Sequence, residues 1–173
     1  MSPDRTPLQP FLAPAGIALF GASAEPGTLG FGLLQNLKGS AFAERVHLVS
    51  ARHGEIAGYP CHAALADIQA RLTLAVVASP AVTVSGIVEA CALRGIRAVV
   101  VMSGGLRPES PAGKQLAETA ARHDVRLFGP NALGYVLPHA GLNLTPITQA
   151  VPPGNLALAS QSAAARAKVL AWN

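Results

Sequence analysis

Ile17-Ala-Leu-Phe-Gly-Ala-Ser-Ala-Glu-Pro-Gly-Thr-Leu-Gly-Phe-Gly-Leu-Leu34 starts as a short apolar run, breaks into glycine and small residues, and closes as the first turn of an amphipathic helix. A strand that feeds through glycine into a helix N-terminus is the basic unit of nucleotide-phosphate binding. The helix start offers unpaired N–H groups and the positive end of its dipole, and glycine lets an anion approach the backbone. In this stretch Gly21 is placed to make the tight turn, Gly27 and Gly30 line the loop, and Ser23 and Thr28 each carry a hydroxyl that can donate; Leu29 opens the helix. The spacing G-x-S-x-x-x-G-x-x-G is looser than the dinucleotide fingerprint G-x-G-x-x-G, and glycines serving only a turn and helix–sheet packing would produce the same pattern.

Outward from that stretch the chain repeats one rhythm. The patterning predicts strands at about Gly16–Phe20, Arg45–Val49, Leu72–Ala78, Arg97–Met102 and Val125–Phe128, with a last one over Gly154–Ala159. Helices are expected from about Thr28 to Lys38, Val82 to Arg94, and Gly113 to His123, with a short one over Ala63–Ile68 and one from Ser162 to Trp172. Ala57–Cys61 reads as a turn, and Pro80 suits the first turn of the helix that follows it. Residues 1–15, with prolines at 3, 7, 10 and 14, read as an extended lead-in that Phe11 and Leu12 pin to the domain. Strand–helix alternation with connections too long for hairpins specifies an α/β fold: a Rossmann-like, doubly wound, mostly parallel sheet with helices on both faces, in three layers. The domain proper is expected over residues 16–150. In such sheets the ligand lies at the carboxyl ends of the strands, where four loops (21–30, 50–54, 79–81 and 103–109) carry small or polar residues.

The totals agree with one buried parallel sheet. Half of the 173 residues are hydrophobic and only 13% are charged, which suits strands covered on both faces. No apolar run is long enough to cross a bilayer, and the N-terminus lacks the plan of a signal peptide. Two cysteines without C-x-x-C spacing point to a reduced, cytoplasmic setting. A net charge of +4 favours a small anionic ligand over nucleic acid, and five scattered histidines give no metal-ligand spacing, so neither a metal nor a membrane partner is expected.

The nucleotide is narrowed by the end of the second strand. An NAD site places an acidic residue there to hold the ribose hydroxyls. Here the segment reads Val49-Ser-Ala-Arg-His-Gly-Glu55, with Ser50 and Arg52 first and Glu55 further out. A guanidinium pairs with a ribose phosphate where a carboxylate repels it. That leaves NADP and coenzyme A, or an Arg52 that is simply a solvated surface residue.

Several further motifs carry a resemblance. Ala18-Leu-Phe-Gly-Ala-Ser23, Ala78-Ser-Pro-Ala81, Val101-Met-Ser-Gly-Gly105, Phe128-Gly-Pro-Asn131 with Leu133-Gly134, Gly141-Leu-Asn143 and Gly154-Asn-Leu-Ala-Leu-Ala-Ser-Gln-Ser162 stand in this order. From about Phe11 to Trp172 the chain resembles the N-terminal CoA-binding domain of the nucleoside-diphosphate-forming acyl-CoA synthetases. These include ADP-forming acetyl-CoA synthetase, the alpha subunit of succinyl-CoA synthetase, and bacterial protein lysine acetyltransferases with a synthetase-like region. The resemblance implies CoA or acyl-CoA as ligand. The loop of Gly21, Ser23, Gly27, Thr28, Leu29 and Gly30 would face the phosphates. Ser50 and Arg52 would lie near the adenosine, Ser79 and Pro80 along the middle, and Ser103 and Gly104 near the pantetheine; Asn131 of the Gly-Pro-Asn motif would also contact the cofactor. It also implies an ATP-grasp domain or subunit, or a fused acetyltransferase domain, as partner, and makes residues 151–173 the start of a second domain. An NADP-binding oxidoreductase domain and a non-catalytic structural or regulatory subunit are the alternatives.

Three departures qualify what the resemblance implies. Ser50-Ala51-Arg52 stands where the family has Asn-Pro and often lysine; Ala132 replaces the cysteine after Gly-Pro-Asn; and Ala163 replaces the glycine after Ser-Gln-Ser. The last of these tilts the reading towards the non-catalytic, acetyltransferase-associated context, because Cβ restricts positive φ and close anion approach. No catalytic residue is expected within the chain, and the helix that begins at Ser162 reads as unfinished at its end.

Overall fold

The computed structural model describes residues 8–170. Its centre is a seven-stranded sheet. The strands are β1 (Ile17–Phe20), β2 (Val46–Val49), β3 (Glu55–Ile56), β4 (Tyr59–His62), β5 (Leu74–Val77), β6 (Ala98–Val101) and β7 (Arg126–Phe128), in the order β3-β4-β2-β1-β5-β6-β7. All neighbours run parallel except β3 and β4. From β1 the chain first builds outward through β2 to β4, then returns to β5 on the other side of β1 and builds outward again. The order therefore reverses between β1 and β5.

The strands alternate between two cores because successive side chains point to opposite faces. Ala18, Phe20, Ala75, Val77, Val99 and Val101 face α3 (Ala81–Leu93) and α4 (Pro111–Arg122), where Val84, Val88, Cys91, Leu116 and Ala120 meet them. Ile17, Leu19, Leu74, Val76, Ala98 and Val100 face the other way, towards Leu33, Leu34 and Leu37 of α2 (Leu29–Lys38) and Phe11 of the short helix α1 (Gln9–Leu12). All four residues of β1, β5 and β6 are buried, which is why these segments read as unbroken apolar runs. Burial also pushes the Cys91 thiol up to about 12, so this cysteine serves as a core residue.

The lead-in differs from an extended arm. Residues 1–7 lie outside the described residues, and Gln9–Leu12 form a helical turn that buries Phe11 while Leu12 stays half exposed. Phe11, not Leu12, does the pinning, and the Tyr135 hydroxyl adds to it by donating to the Phe11 carbonyl at 2.6 Å.

Two hairpins depart from the sequence reading. The turn expected over 57–61 is confined to Ala57 and Gly58, both at positive φ (51° and 81°), and Tyr59–His62 is a strand. Positive φ at both central residues matches the twist of a two-residue hairpin, here between β3 and β4. The second is β8 (Val136–Leu137) with β9 (Leu142–Asn143), turned through Gly141 at φ 64°. It packs against α2: Asn36 Nδ2 donates to the carbonyls of Thr145 and Ile147 at 2.7 and 3.0 Å. Gly32 sits so close to Pro146 that a Cβ would overlap its backbone.

Smaller corrections follow from local chemistry. Ala63–Ile68 contains only a 3-10 turn, Leu65–Asp67, whose Asp67 carboxylate accepts from Ala64 N. Pro80 is the residue that caps α3, one place ahead of its first turn. Gly154–Ala159 is not a strand: it has no ladder partner among the described residues, and Leu156 is 99% exposed. A strand is completed by a neighbour's hydrogen bonds, and the described residues supply none there. Helix α5 (Ala163–Leu170) follows, while Ala171, Trp172 and Asn173 lie outside the described residues.

Candidate functional site at the strand ends

The carboxyl ends of β1, β2, β5 and β6 lie level, since Phe20 pairs with both Val49 and Val77, and Val77 with Val101. The loops that follow them, joined by the one after β7, share one end of the sheet. The reversal of strand order puts the β1 and β5 loops side by side at its middle. This is where doubly wound sheets open a crevice for ligand.

The β1 loop is packed backbone against backbone. Gly21 has φ 81°, and a Cβ there would come within 2.5 Å of the Ala78 carbonyl oxygen at the end of β5. A Cβ on Gly30 would overlap the Gly21 carbonyl and lie 3.0 Å from Ser23 N. Glycine at both positions lets α2 start directly against the turn. Gly27 also needs positive φ (83°), but faces open space.

Thr28 is the N-cap of α2. Its Oγ1 accepts from Phe31 N at 3.2 Å and donates to the Glu25 carbonyl at 2.8 Å. The hydroxyl proton read from the sequence as available to a ligand is therefore committed within the loop. The Ser23 Oγ accepts from Glu25 N at 3.0 Å, which leaves its proton to donate. Leu29 N and Gly30 N, in the first turn of α2, have no hydrogen-bond partner among the described residues. Two free N–H groups and the positive end of the helix dipole thus point out of the turn, the arrangement that receives an anion.

The other predicted residues occupy the neighbouring strand ends. Ser50 Oγ accepts from His53 N at 3.2 Å and orders the loop after β2. Arg52 on that loop is exposed, and its guanidinium has no partner among the described residues. Ser103 is buried; its hydroxyl donates to the Ser79 carbonyl at 2.6 Å and ties the β6 loop to the β5 loop. The Ser103 carbonyl in turn accepts from Asn131 N at 3.1 Å. Asn131 is at φ 57° after the cis Gly129–Pro130 peptide, with its Oδ1 3.3 Å from where a Cβ on Gly104 would stand. Pro80 and Gly104 are exposed beside them. All the predicted positions therefore share one end of the sheet, with Ser103 and Thr28 bracing loops rather than presenting free hydroxyls.

The sequence reading missed the bracing beyond the loops. Gly134 is at φ 79°, and a Cβ there would overlap the Leu144 carbonyl; Asn36, Asn143 and Thr145 bind the segment after β9 to α2. The local signals were the Leu-Gly pair at 133–134 and the Gly-Leu-Asn run at 141–143. Among the described residues no three His, Cys, Asp or Glu side chains group as metal ligands. No helix there is long and apolar enough to cross a membrane.

Comparison with known proteins bears on this geometry. The family model described as a CoA binding domain matches residues 15–138, most of the chain and every strand of the central sheet. The chain belongs to the CoA-binding domain family. The α subunit of acetate–CoA ligase (ADP-forming) I from Pyrococcus furiosus is 32% identical over 95% of the chain and 37% of its own length. The α subunit of isoenzyme II from the same organism is 34% identical over 92% of the chain and 35% of its own length. The solved acetyl-coenzyme A synthetase 1 of Ca. Korarchaeum cryptofilum, in complex with phosphate and ADP, superposes with a TM-score of 0.86 at 29% identity, covering 95% of this chain and 36% of that one. The chain thus spans little over a third of the length of these relatives. The NADP reading finds no support among them, and coenzyme A is the ligand class of the domain.

Proposed function

We propose that this CoA-binding domain holds coenzyme A across its strand ends as one part of an ADP-forming acyl-CoA synthetase. The observation that carries the reading is the pair of free N–H groups, Leu29 and Gly30, at a helix start packed onto the β1 turn where the strand order reverses. The pyrophosphate lies over that turn, with the Ser23 hydroxyl as an added donor. Arg52 pairs with the ribose phosphate at the β2 end. The pantetheine runs past Ser79 and Pro80 towards Gly104 and Asn131, which the Ser103 hydrogen bonds hold in place. The domain itself performs binding and orientation; activation of the acyl group belongs to other parts of the enzyme. An ATP-grasp domain or subunit supplies the nucleotide chemistry, and residues 151–173 lead into the second domain, which covers the exposed apolar side chains Leu156 and Leu158. The synthetase context is favoured over an acetyltransferase-associated one, against the tilt that Ala163 suggested, because curated relatives matched over more than nine-tenths of the chain are ADP-forming acetate–CoA ligases.

Thermal unfolding tests the ligand. CoA at a hundred times its dissociation constant raises stability by about 2.7 kcal/mol, which moves the midpoint of a chain this size by roughly 5–11 °C. NADP at the same concentration leaves the midpoint where it was. An NADP shift equal to the CoA shift would reject the assignment.

Arg52→Ala tests the adenosine end. A hydrogen bond to a charged group contributes about 1.5–3 kcal/mol, so the variant binds CoA roughly 10- to 150-fold more weakly. Dephospho-CoA, which lacks the ribose phosphate, binds wild type and variant alike. Equal losses for the two ligands, measured by calorimetric titration, would take Arg52 away from that phosphate.

A further inference from the structure

The opposite end of the sheet holds a cavity of about 650 Å³, where the chain enters β5, β6 and β7. It is an open cleft whose walls include Gln9, Arg71, Thr73, Arg97, Asp124 and Arg126, so three arginines and one aspartate, all exposed, line it. Arginines at this end have an ordinary structural use, because the C-terminal ends of α3 and α4 lie here and their carbonyls attract cations. Arg97 does this: its Nη1 donates to the Ala92 carbonyl at 2.5 Å. Arg94, outside the cleft, is also committed: it donates to the Ile68 carbonyl, after the 3-10 turn, at 2.7 Å.

Arg71 and Arg126 do not. Among the described residues neither guanidinium has a hydrogen-bond or ion-pair partner, and no salt bridge reaches the Asp124 carboxylate. Like charges gathered around one cavity repel, and a guanidinium is the side chain best shaped to grip carboxylate or phosphate through two parallel hydrogen bonds. The three arginines come from positions 71, 97 and 126, and the parallel register brings them together: Leu74, Ala98 and Arg126 lie in one row across β5, β6 and β7.

We propose that this cavity is a second anion site, separate from the glycine loop, that takes a small oligoanion bearing two or more carboxylate or phosphate groups, held by Arg71 and Arg126 with Arg97 in the wall. The four-residue strands between the two ends keep the sites about 13 Å or more apart, so the oligoanion and coenzyme A bind without excluding each other.

The test titrates tripolyphosphate and propane-1,2,3-tricarboxylate into the protein at constant ionic strength, by calorimetry and by amide NMR shifts. Saturable binding is expected for at least one probe, and the tighter of the two names the chemistry, phosphate or carboxylate. In R71Q/R126Q the affinity falls at least tenfold, while R45Q binds as wild type does. The wild-type NMR map guards against a double variant that fails to fold: shifts at Thr73, Arg97 and Asp124 support the site. Shifts confined to residues 21–30, unchanged affinity in folded R71Q/R126Q, or no saturation with either probe would each overturn it. Failure here leaves the CoA reading untouched, because that is tested at the other end of the sheet.

Discussion

Gly30→Ala is expected to lower CoA affinity at least a hundredfold and to destabilise the domain at the same time. The added Cβ overlaps the Gly21 carbonyl and stands 3.0 Å from Ser23 N and 3.1 Å from the Ala22 carbonyl carbon. All three are backbone atoms, so no side chain can rotate out of the way. Either α2 moves off the β1 turn or the turn deforms, and both moves displace the Leu29 and Gly30 N–H groups from the proposed phosphate position. Overpacking of this kind costs about 1–3 kcal/mol, a fall of several degrees in Tm for a chain of this length. Gly27→Ala is the control. Its Cβ meets nothing within 4 Å, and only the positive φ of 83° opposes it, at about 1–2 kcal/mol. Its stability loss is comparable, yet the N–H groups stay in place and most CoA affinity survives. Calorimetric titration and thermal unfolding of the two variants separate the effects. A Gly30→Ala protein that binds CoA as wild type does would remove the α2 start from the site.

Leu34→Ala gives the largest loss of stability expected from one truncation. Leu34 is fully buried on the face of α2 that packs in the same core as Ile17, Leu19 and Val76. Emptying such a site costs about 2–5 kcal/mol, the lost transfer energy plus the cavity left behind. That corresponds to roughly 4–20 °C in Tm. Gln35→Ala, one residue along and exposed, stays within about 0.5 kcal/mol of wild type. Urea unfolding of both variants decides the matter, and equal midpoints would show that α2 does not carry the packing the structure assigns to it. Because α2 also carries the free Leu29 and Gly30 N–H groups, the same side chain links core packing to the geometry of the proposed phosphate site.

How far the site could be read in advance depended on the kind of interaction. Gly21, Gly27 and Gly30 were legible because a turn and a close helix approach leave a local mark in the sequence. The use of each hydroxyl was not. Thr28 looked like a donor to a ligand and Ser103 like a neighbour of the pantetheine, yet one hydroxyl donates to Glu25 within its own loop and the other to Ser79, 24 residues away in sequence. A hydroxyl rotates to the nearest acceptor, and only the fold sets which carbonyl is nearest. The β3–β4 hairpin was hidden by Pro60, which reads as a strand breaker but is tolerated near a sheet edge.

The amino-acid sequence by itself determined the alternation of strand and helix, the burial of β1, β5 and β6 on both faces, and the glycine turn. Each of these is written in neighbouring residues through periodicity, size and backbone freedom. Only the tertiary structure decided which strands adjoin, and with them the reversal beside β1 that sets the site, the bracing of the 143–147 segment against α2, and the meeting of Arg71, Arg97 and Arg126 in one cavity. Contacts between residues distant in the chain depend on sheet order and register, and no local pattern encodes either.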